Sequence, residues 1–215
     1  MGMVESTEPK RSFWRLLWSP LGLLTFFLAV MWGIEIVDTL ALDDSLQSNG
    51  IVPRRGSGLD GILWAPFLHS DFGHITSNSV PLLVLGGLVS VRGMRYWVLL
   101  TLTVILLGGA LTWALAGFGN HIGASGVVFG YFGALLAAAV FERRPRALAS
   151  ALLVIVLYGS LVAGVVPQDY ISWEGHLFGM AAGVIAARAM AEPRRPRPLE
   201  PETIEPWELD EPWRI

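Results

Sequence analysis

The sequence predicts an all-α membrane protein, a bundle of six transmembrane helices, and three observations carry that prediction. Of its 215 residues 53% are hydrophobic and only 15% charged, with a mean hydropathy of +0.54, whereas soluble domains carry roughly 25% charged residues. Six apolar segments approach the roughly 20 residues that a helix needs to cross a bilayer. Short polar breaks separate them, without the half-length segments and period-two alternation of a membrane β-barrel.

Taken in order, a polar stretch at residues 1–12 precedes the membrane domain, which is expected over 13–191. The first span, about 18–42, is too long for a signal sequence and lacks a small-residue cleavage site, so it reads as an anchor. A loop over 43–73 follows. It is long but contains Trp64, Phe67 and Leu68, which suit half-insertion at the outer interface, and its pattern specifies no secondary structure. The remaining spans are expected at about 74–91, 95–117, 125–141, 146–166 and 173–191. The tail, 192–215, is rich in Pro and Glu with two Trp, a composition that cannot bury a core and reads as a disordered cytoplasmic appendage.

Basic residues set the orientation, because short cytoplasmic connections are enriched in them. Lys10, Arg11 and Arg15 precede the first span, and Arg92 and Arg95 separate the second and third. Arg143, Arg144 and Arg146 separate the fourth and fifth, and Arg188, Arg194, Arg195 and Arg197 flank the end of the sixth. Both termini are therefore expected in the cytoplasm, in a prokaryotic cell membrane. The connections 118–124 and 167–172 carry no basic residue, and only Arg54 and Arg55 in the first loop dissent.

The same composition excludes several functions. With no Cys there is no disulfide, thiolate metal site or cysteine nucleophile. The formal net charge of -3, with its signs separated along the chain, offers no basic face for nucleic acid. The expected surroundings are the lipid bilayer, with no nucleic-acid partner.

Polar groups at membrane depth mark function by default. On the expected topology all four histidines lie on the outer side: His69 and His74 at the entrance to the second span, His121 just before the fourth, His176 just inside the sixth. Asn78 is one turn below His74 and points the same way, and Ser125 opens the fourth span from that side. Alone, each has a bland role: a small packing serine, an interfacial histidine (the reading kept for His121), helix-gluing Asn. Together they form one polar cluster at one depth. A serine hydroxyl needs a base within hydrogen-bond reach, and histidine fills that role. For Ser125 and His176 to touch, their helices must approach closely. Small residues at spacing four, Gly126, Gly130 and Ala134 on one and Gly175, Gly179 and Gly183 on the other, permit that. The Ser125 backbone N–H, the His74 ring and the Asn78 amide are candidate donors to a developing oxyanion.

Three motifs within about residues 60–185 resemble those of the rhomboid family of intramembrane serine proteases. Phe67-Leu68-His69 followed by His74 and Asn78 resembles the family's second-helix signature. Gly123-Ala124-Ser125-Gly126 is similar to its GxSG nucleophile motif, and Gly175-His176-Leu177-Phe178-Gly179 to its sixth-helix histidine motif. The resemblance implies that Ser125 is the nucleophile and His176 the base. It implies that His74 and Asn78 are oxyanion donors and His69 a structural loop histidine. It also implies an enzyme without cofactor or metal that cuts single-span or polytopic membrane proteins. Two features depart from the family pattern: its Trp-Arg pair in the first loop has no clear counterpart near Asp60-Gly61, and the aromatic expected to stack on His176 is Phe129 where some members have Tyr. No Asp completes a triad, so a dyad is implied, and Glu174 should project elsewhere on its helix.

Other chemistries fit less well. The α/β-hydrolase elbow GxSxG would need Gly where Val127 stands. A zinc protease helix would need His-Glu-x-x-His, which His69 and His74 do not make. Asp38 near the outer end of the first span has no intramembrane acidic partner and reads as interfacial. The alternative from another class is a catalytically silent rhomboid-like protein that binds transmembrane segments; a small transporter would show internal repeats, and none is found.

Overall fold

The computed structural model describes residues 18–168 and 171–191. The expected N-terminal segment 1–12, with Lys10 and Arg11, the neighbouring Arg15, and the tail 192–215, with Arg194, Arg195 and Arg197, lie outside the described residues.

Local signals start each helix. Ser19 caps the first, its Oγ accepting the Gly22 N–H at 3.0 Å, and Pro20 occupies the first helical position, where a missing N–H leaves no bond unmade. This helix, α1, runs Pro20–Ala41. Asp71 caps α2, Phe72–Ser90, by accepting the His74 N–H at 2.8 Å. A Gly93 in the left-handed region (φ +95°) turns the chain into α3, Met94–Leu115, which widens into a π turn at Val104–Gly108. α4, Ser125–Glu142, begins at Ser125 itself. α5, Pro145–Tyr158, loosens at Gly159 into a 3-10 segment, Gly159–Val165. α6 spans Trp173–Ala189.

Each of the six apolar segments is thus helical, and no strand is present among the described residues beyond an isolated bridge between Ile51 and His121. Five segments are long and apolar enough to cross a membrane. α6, with 17 residues and Glu174 and Arg188 near its ends, is at the lower limit of a spanning length. The expected fifth span differs most, because its last turns include Gly159 and Gly164, poor helix formers that let the chain tighten and curl.

α4 is the axis of the bundle, with residues such as Val128, Tyr131, Phe132 and Leu135 buried. Its closest neighbour is α6. A Cβ on Gly179 would lie 2.2 Å from the Gly126 carbonyl oxygen, and one on Gly183 would overlap the Gly130 carbonyl, so only glycine permits this approach. Gly130 also receives the Val104 side chain of the π turn, and Gly108 abuts the backbone of Gly179, so α3 joins α4 and α6 at these glycines.

The first loop, left without secondary structure by its sequence pattern, is a chain of single turns: 3-10 at Ser45–Asn49, Gly56–Gly58 and Ala65–Phe67, and one α turn at Gly61–Trp64. The dissenting Arg54 has a local reason to be there. Its guanidinium donates to the Ala116 carbonyl at 2.6 Å and the Ala114 carbonyl at 3.4 Å, where a cation satisfies the orphan carbonyls at the negative end of α3. Trp113 returns the contact, its indole N–H donating to the Arg55 carbonyl at 2.9 Å. Asp38 is buried, and its carboxylate accepts the Leu46 N–H at 2.9 Å, bracing the loop onto α1.

Candidate active site

At the end of the bundle where α4 and α6 begin, Ser125 Oγ lies 2.8 Å from His176 Nε2. The helices that carry them are held together one turn below by the Gly126–Gly179 contact. The other imidazole nitrogen, Nδ1, is 2.8 Å from the Gly164 carbonyl oxygen. A carbonyl can only accept, so Nδ1 carries the proton and the neutral ring presents a lone pair at Nε2. The serine hydroxyl therefore donates to His176, the arrangement a general base requires. Phe129, one turn along α4 from Ser125, lies flat against the imidazole with centroids 4.2 Å apart and planes 7° apart. The ring is thus held by a face contact and two in-plane hydrogen bonds.

A second group converges on Gly123. Its φ of +108° is a conformation glycine adopts without strain, and a Cβ there would lie 2.7 Å from His74 Nε2 and 3.8 Å from Asn78 Nδ2. The loop before Ser125 can therefore pass close beneath both side chains. The Ser70 backbone N–H approaches His74 Nδ1 at 3.4 Å, with the Ser70 hydroxyl at 3.2 Å. Because a backbone N–H only donates, Nδ1 accepts and Nε2–H is the donor that His74 turns toward the site. Asn78 donates one amide proton to the His74 carbonyl at 2.9 Å, which fixes the amide and leaves its second proton free to donate. The Ser125 N–H, in the first turn of α4, has no intrahelical acceptor.

Around this core the loop residues are braces. His69 is buried, and its Nε2 accepts the Ala124 N–H at 3.3 Å, next to Ser125. Burial, and then the neighbouring His74, push its pKa down to about 4. The Gly123 N–H donates to the Ala65 carbonyl at 2.8 Å. Asp71 is held below the usual carboxylate range by the His74 N–H and the Ser70 hydroxyl that donate to it. His121 pairs through Nδ1 with the Ser172 hydroxyl, and burial lowers its pKa. Gly175, grouped by the sequence with the packing face, sits at its margin: a Cβ there would meet Ser172 Oγ at 2.7 Å rather than the α4 backbone. Glu174 turns away from His176 and accepts the Gly117 N–H at 3.2 Å.

The structure thus brings together Ser125, His176 and Phe129, and sets His74, Asn78 and Gly123 beside them. Sequence reasoning missed the Gly164 carbonyl, since a backbone acceptor has no residue signature. It also missed Glu35, a buried acid in α1, signalled only by being the first charge in an otherwise apolar segment.

A small cavity of about 50 Å³ lies beside Ser125, bounded among others by Ile62, Val104, Gly126 and His121. Among the described residues no group of histidines and acids has the arrangement to hold a metal ion.

Comparison with known proteins identifies a Rhomboid domain over residues 58–193. An uncharacterised protein of Mycobacterium bovis is 37% identical over 179 residues, covering 79% of this chain and 74% of its own. One from Mycobacterium tuberculosis matches to the same extent. An uncharacterised protein of Mycobacterium leprae is 35% identical over 206 residues, covering 91% of this chain and 80% of its own.

Proposed function

This chain belongs to the rhomboid family of integral membrane proteins, and we propose that it is an intramembrane serine endopeptidase that cuts transmembrane segments of other membrane proteins. One observation carries the reading: the 2.8 Å contact from Ser125 Oγ to a His176 whose Nδ1 is already committed to the Gly164 carbonyl. A pair that merely packed would have no need of the base tautomer.

In the proposed reaction Ser125 Oγ attacks the scissile carbonyl carbon while its proton passes to His176 Nε2. The electron pair of the carbonyl moves onto oxygen, where His74 Nε2–H, the Asn78 amide and the Ser125 N–H donate to it. The positive end of α4 favours the same charge. Collapse of the intermediate breaks the C–N bond as His176 gives its proton to the leaving amine. Water, deprotonated by His176, then attacks the acyl carbon, and the C–O bond to Ser125 breaks as His176 returns the proton to Oγ. The cavity of about 50 Å³ beside Ser125 suits a small side chain next to the cleaved bond.

In the proposed orientation, the end bearing Arg92, Arg95, Arg146 and Arg188 faces the cytoplasm, following the distribution of basic residues, and the Ser125 end opens near the outer face. The test is incubation of the purified protein, in detergent, with a single-span membrane substrate, beside Ser125→Ala and His176→Ala. Cleavage by the native protein alone is expected. A native protein that binds the substrate but leaves it as intact as the variants do would instead establish the silent, segment-binding alternative.

A further inference from the structure

We propose that the arginine-bearing end of the bundle holds an anionic phospholipid, in a groove between the first turns of α5 and the connection from α2 to α3. The inference is independent of the chemistry at Ser125, which lies at the other end of the bundle.

The groove has a volume of about 750 Å³, within the range of ligand sites, roughly 300–1,000 Å³. Three arginines, Arg92, Arg95 and Arg146, line it against one carboxylate, Glu142. Arg92 is already engaged: it forms an ion pair with the buried Glu142, and its guanidinium lies over the Tyr96 ring, 4.1 Å from the centroid. Arg95 and Arg146 are exposed and form no ion pair among the described residues. The groove therefore presents two uncompensated guanidinium groups, which favour phosphate.

Its walls are of a different character. Leu99 and Leu153 line it at 41% and 43% exposure, together with the buried Leu135. Apolar surface open sideways on a membrane helix meets acyl chains. A ligand that uses both features needs a phosphate at one end and hydrocarbon beside it. A soluble anion would leave the walls unused. A substrate segment inserted in the same orientation would bring its own basic flank to this end, against Arg95 and Arg146.

The experiment is native mass spectrometry of the purified full chain, in detergent, offered equimolar phosphatidylglycerol and phosphatidylcholine. Preferential retention of phosphatidylglycerol is expected. Each arginine removed in Arg95→Gln and Arg146→Gln should weaken it about fivefold, while Arg55→Gln at the opposite end should leave it unchanged. Leu153→Trp, which narrows the groove and keeps both charges, should also lower retention, and unfolding midpoints would show that the variants are folded. Equal retention of the two lipids, retention unaffected by the arginine changes and by Leu153→Trp, displacement by inorganic phosphate, or displacement by a single-span substrate would each overturn the proposal.

Discussion

α5 and α6 both pack on α4, but in opposite ways. α6 meets it backbone to backbone through Gly179 and Gly183, with no side chain between. α5 buries only Ala147, Ala151 and Val154 and turns Leu152, Ile155, Val156 and Leu157 outward. The apolar window of α4 is 67% buried, that of the α5 segment 11%. The difference separates two requirements of the proposed dyad. The distance from Ser125 to His176 is set by a contact that cannot yield without moving whole helices. The tautomer of His176 is set by Gly164, at the curled end of a helix held lightly enough to shift.

The most damaging way to test the rigid half is Gly179→Ala. Its methyl would sit 2.2 Å from a backbone oxygen, which no rotamer change relieves, so α4 and α6 must separate. Misplacement by an ångström reduces rates about a hundredfold, and cleavage should fall by at least that much, with stability lowered by about 3 kcal/mol, the upper end of overpacking. Gly126→Ala is the contrast: its Cβ would be 3.6 Å from the Gly175 carbonyl, an ordinary contact, so the unfolding midpoint should hardly move. Equal unfolding midpoints for the two variants would show that the glycine contact does not fix the spacing.

The proposed oxyanion donors probe the geometry without disturbing either helix contact. His74→Ala and Asn78→Ala should each lower kcat by about a hundredfold with KM little changed, since they bind a charge present only in the transition state. A change confined to KM would make them substrate contacts.

How much of this was legible follows the same division. Gly179 and Gly183 could be paired with Gly126 and Gly130 from spacing alone, because close helix packing demands small residues and leaves a periodic trace. His74 and Asn78 were likewise legible as one turn apart on a helix, although the cap that starts it, Asp71, lies before the expected start at about 74 and is seen only in the structure. The first loop was not legible, since single turns tied by Arg54, Trp113 and the Ile51–His121 bridge have no period. Nor was the curl of α5, where Gly159 and Gly164 interrupt an apolar run that otherwise reads as helix to about residue 166.

Acid offers a test that discriminates between regions. The glycine contact contains no ionisable group and should be indifferent to pH, whereas the loop that delivers Ala124 to Ser125 hangs on a neutral His69. Above pH about 6.5, its ordinary value, both folded and unfolded chains hold His69 neutral and its contribution to stability is complete. As pH falls from there, the unfolded chain takes up a proton that the folded one refuses until about pH 4, so stability declines across that window, by at most about 3 kcal/mol. Buried His121 adds in the same direction, so the His69 share is the difference between the native protein and His69→Gln in unfolding midpoints at pH 7 and pH 4.5. Equal acid sensitivity in both would remove His69 from the account.

The smallest expected effect is the one that tests the yielding half. A Cβ on Gly164 would lie 2.7 Å from Phe129 Cζ and 3.3 Å from His176 Nδ1. In Gly164→Ala something must move, and either response weakens the same bond. If the Phe129 ring tilts, His176 loses the flat face that keeps Nδ1 aimed at the carbonyl. If the end of α5 withdraws, as its exposure allows, the carbonyl leaves with it. A neutral hydrogen bond contributes about 1 kcal/mol, so the rate should fall about fivefold, well short of Gly179→Ala, with the unfolding midpoint nearly unchanged. The readout that separates positioning from mere packing is the nitrogen chemical shifts of labelled His176. In the native protein they should report a single tautomer with the proton on Nδ1, and in Gly164→Ala a mixture. A variant that slows cleavage while keeping the native tautomer would mean that Gly164 acts through bulk alone, and the division of labour between α5 and α6 would fail.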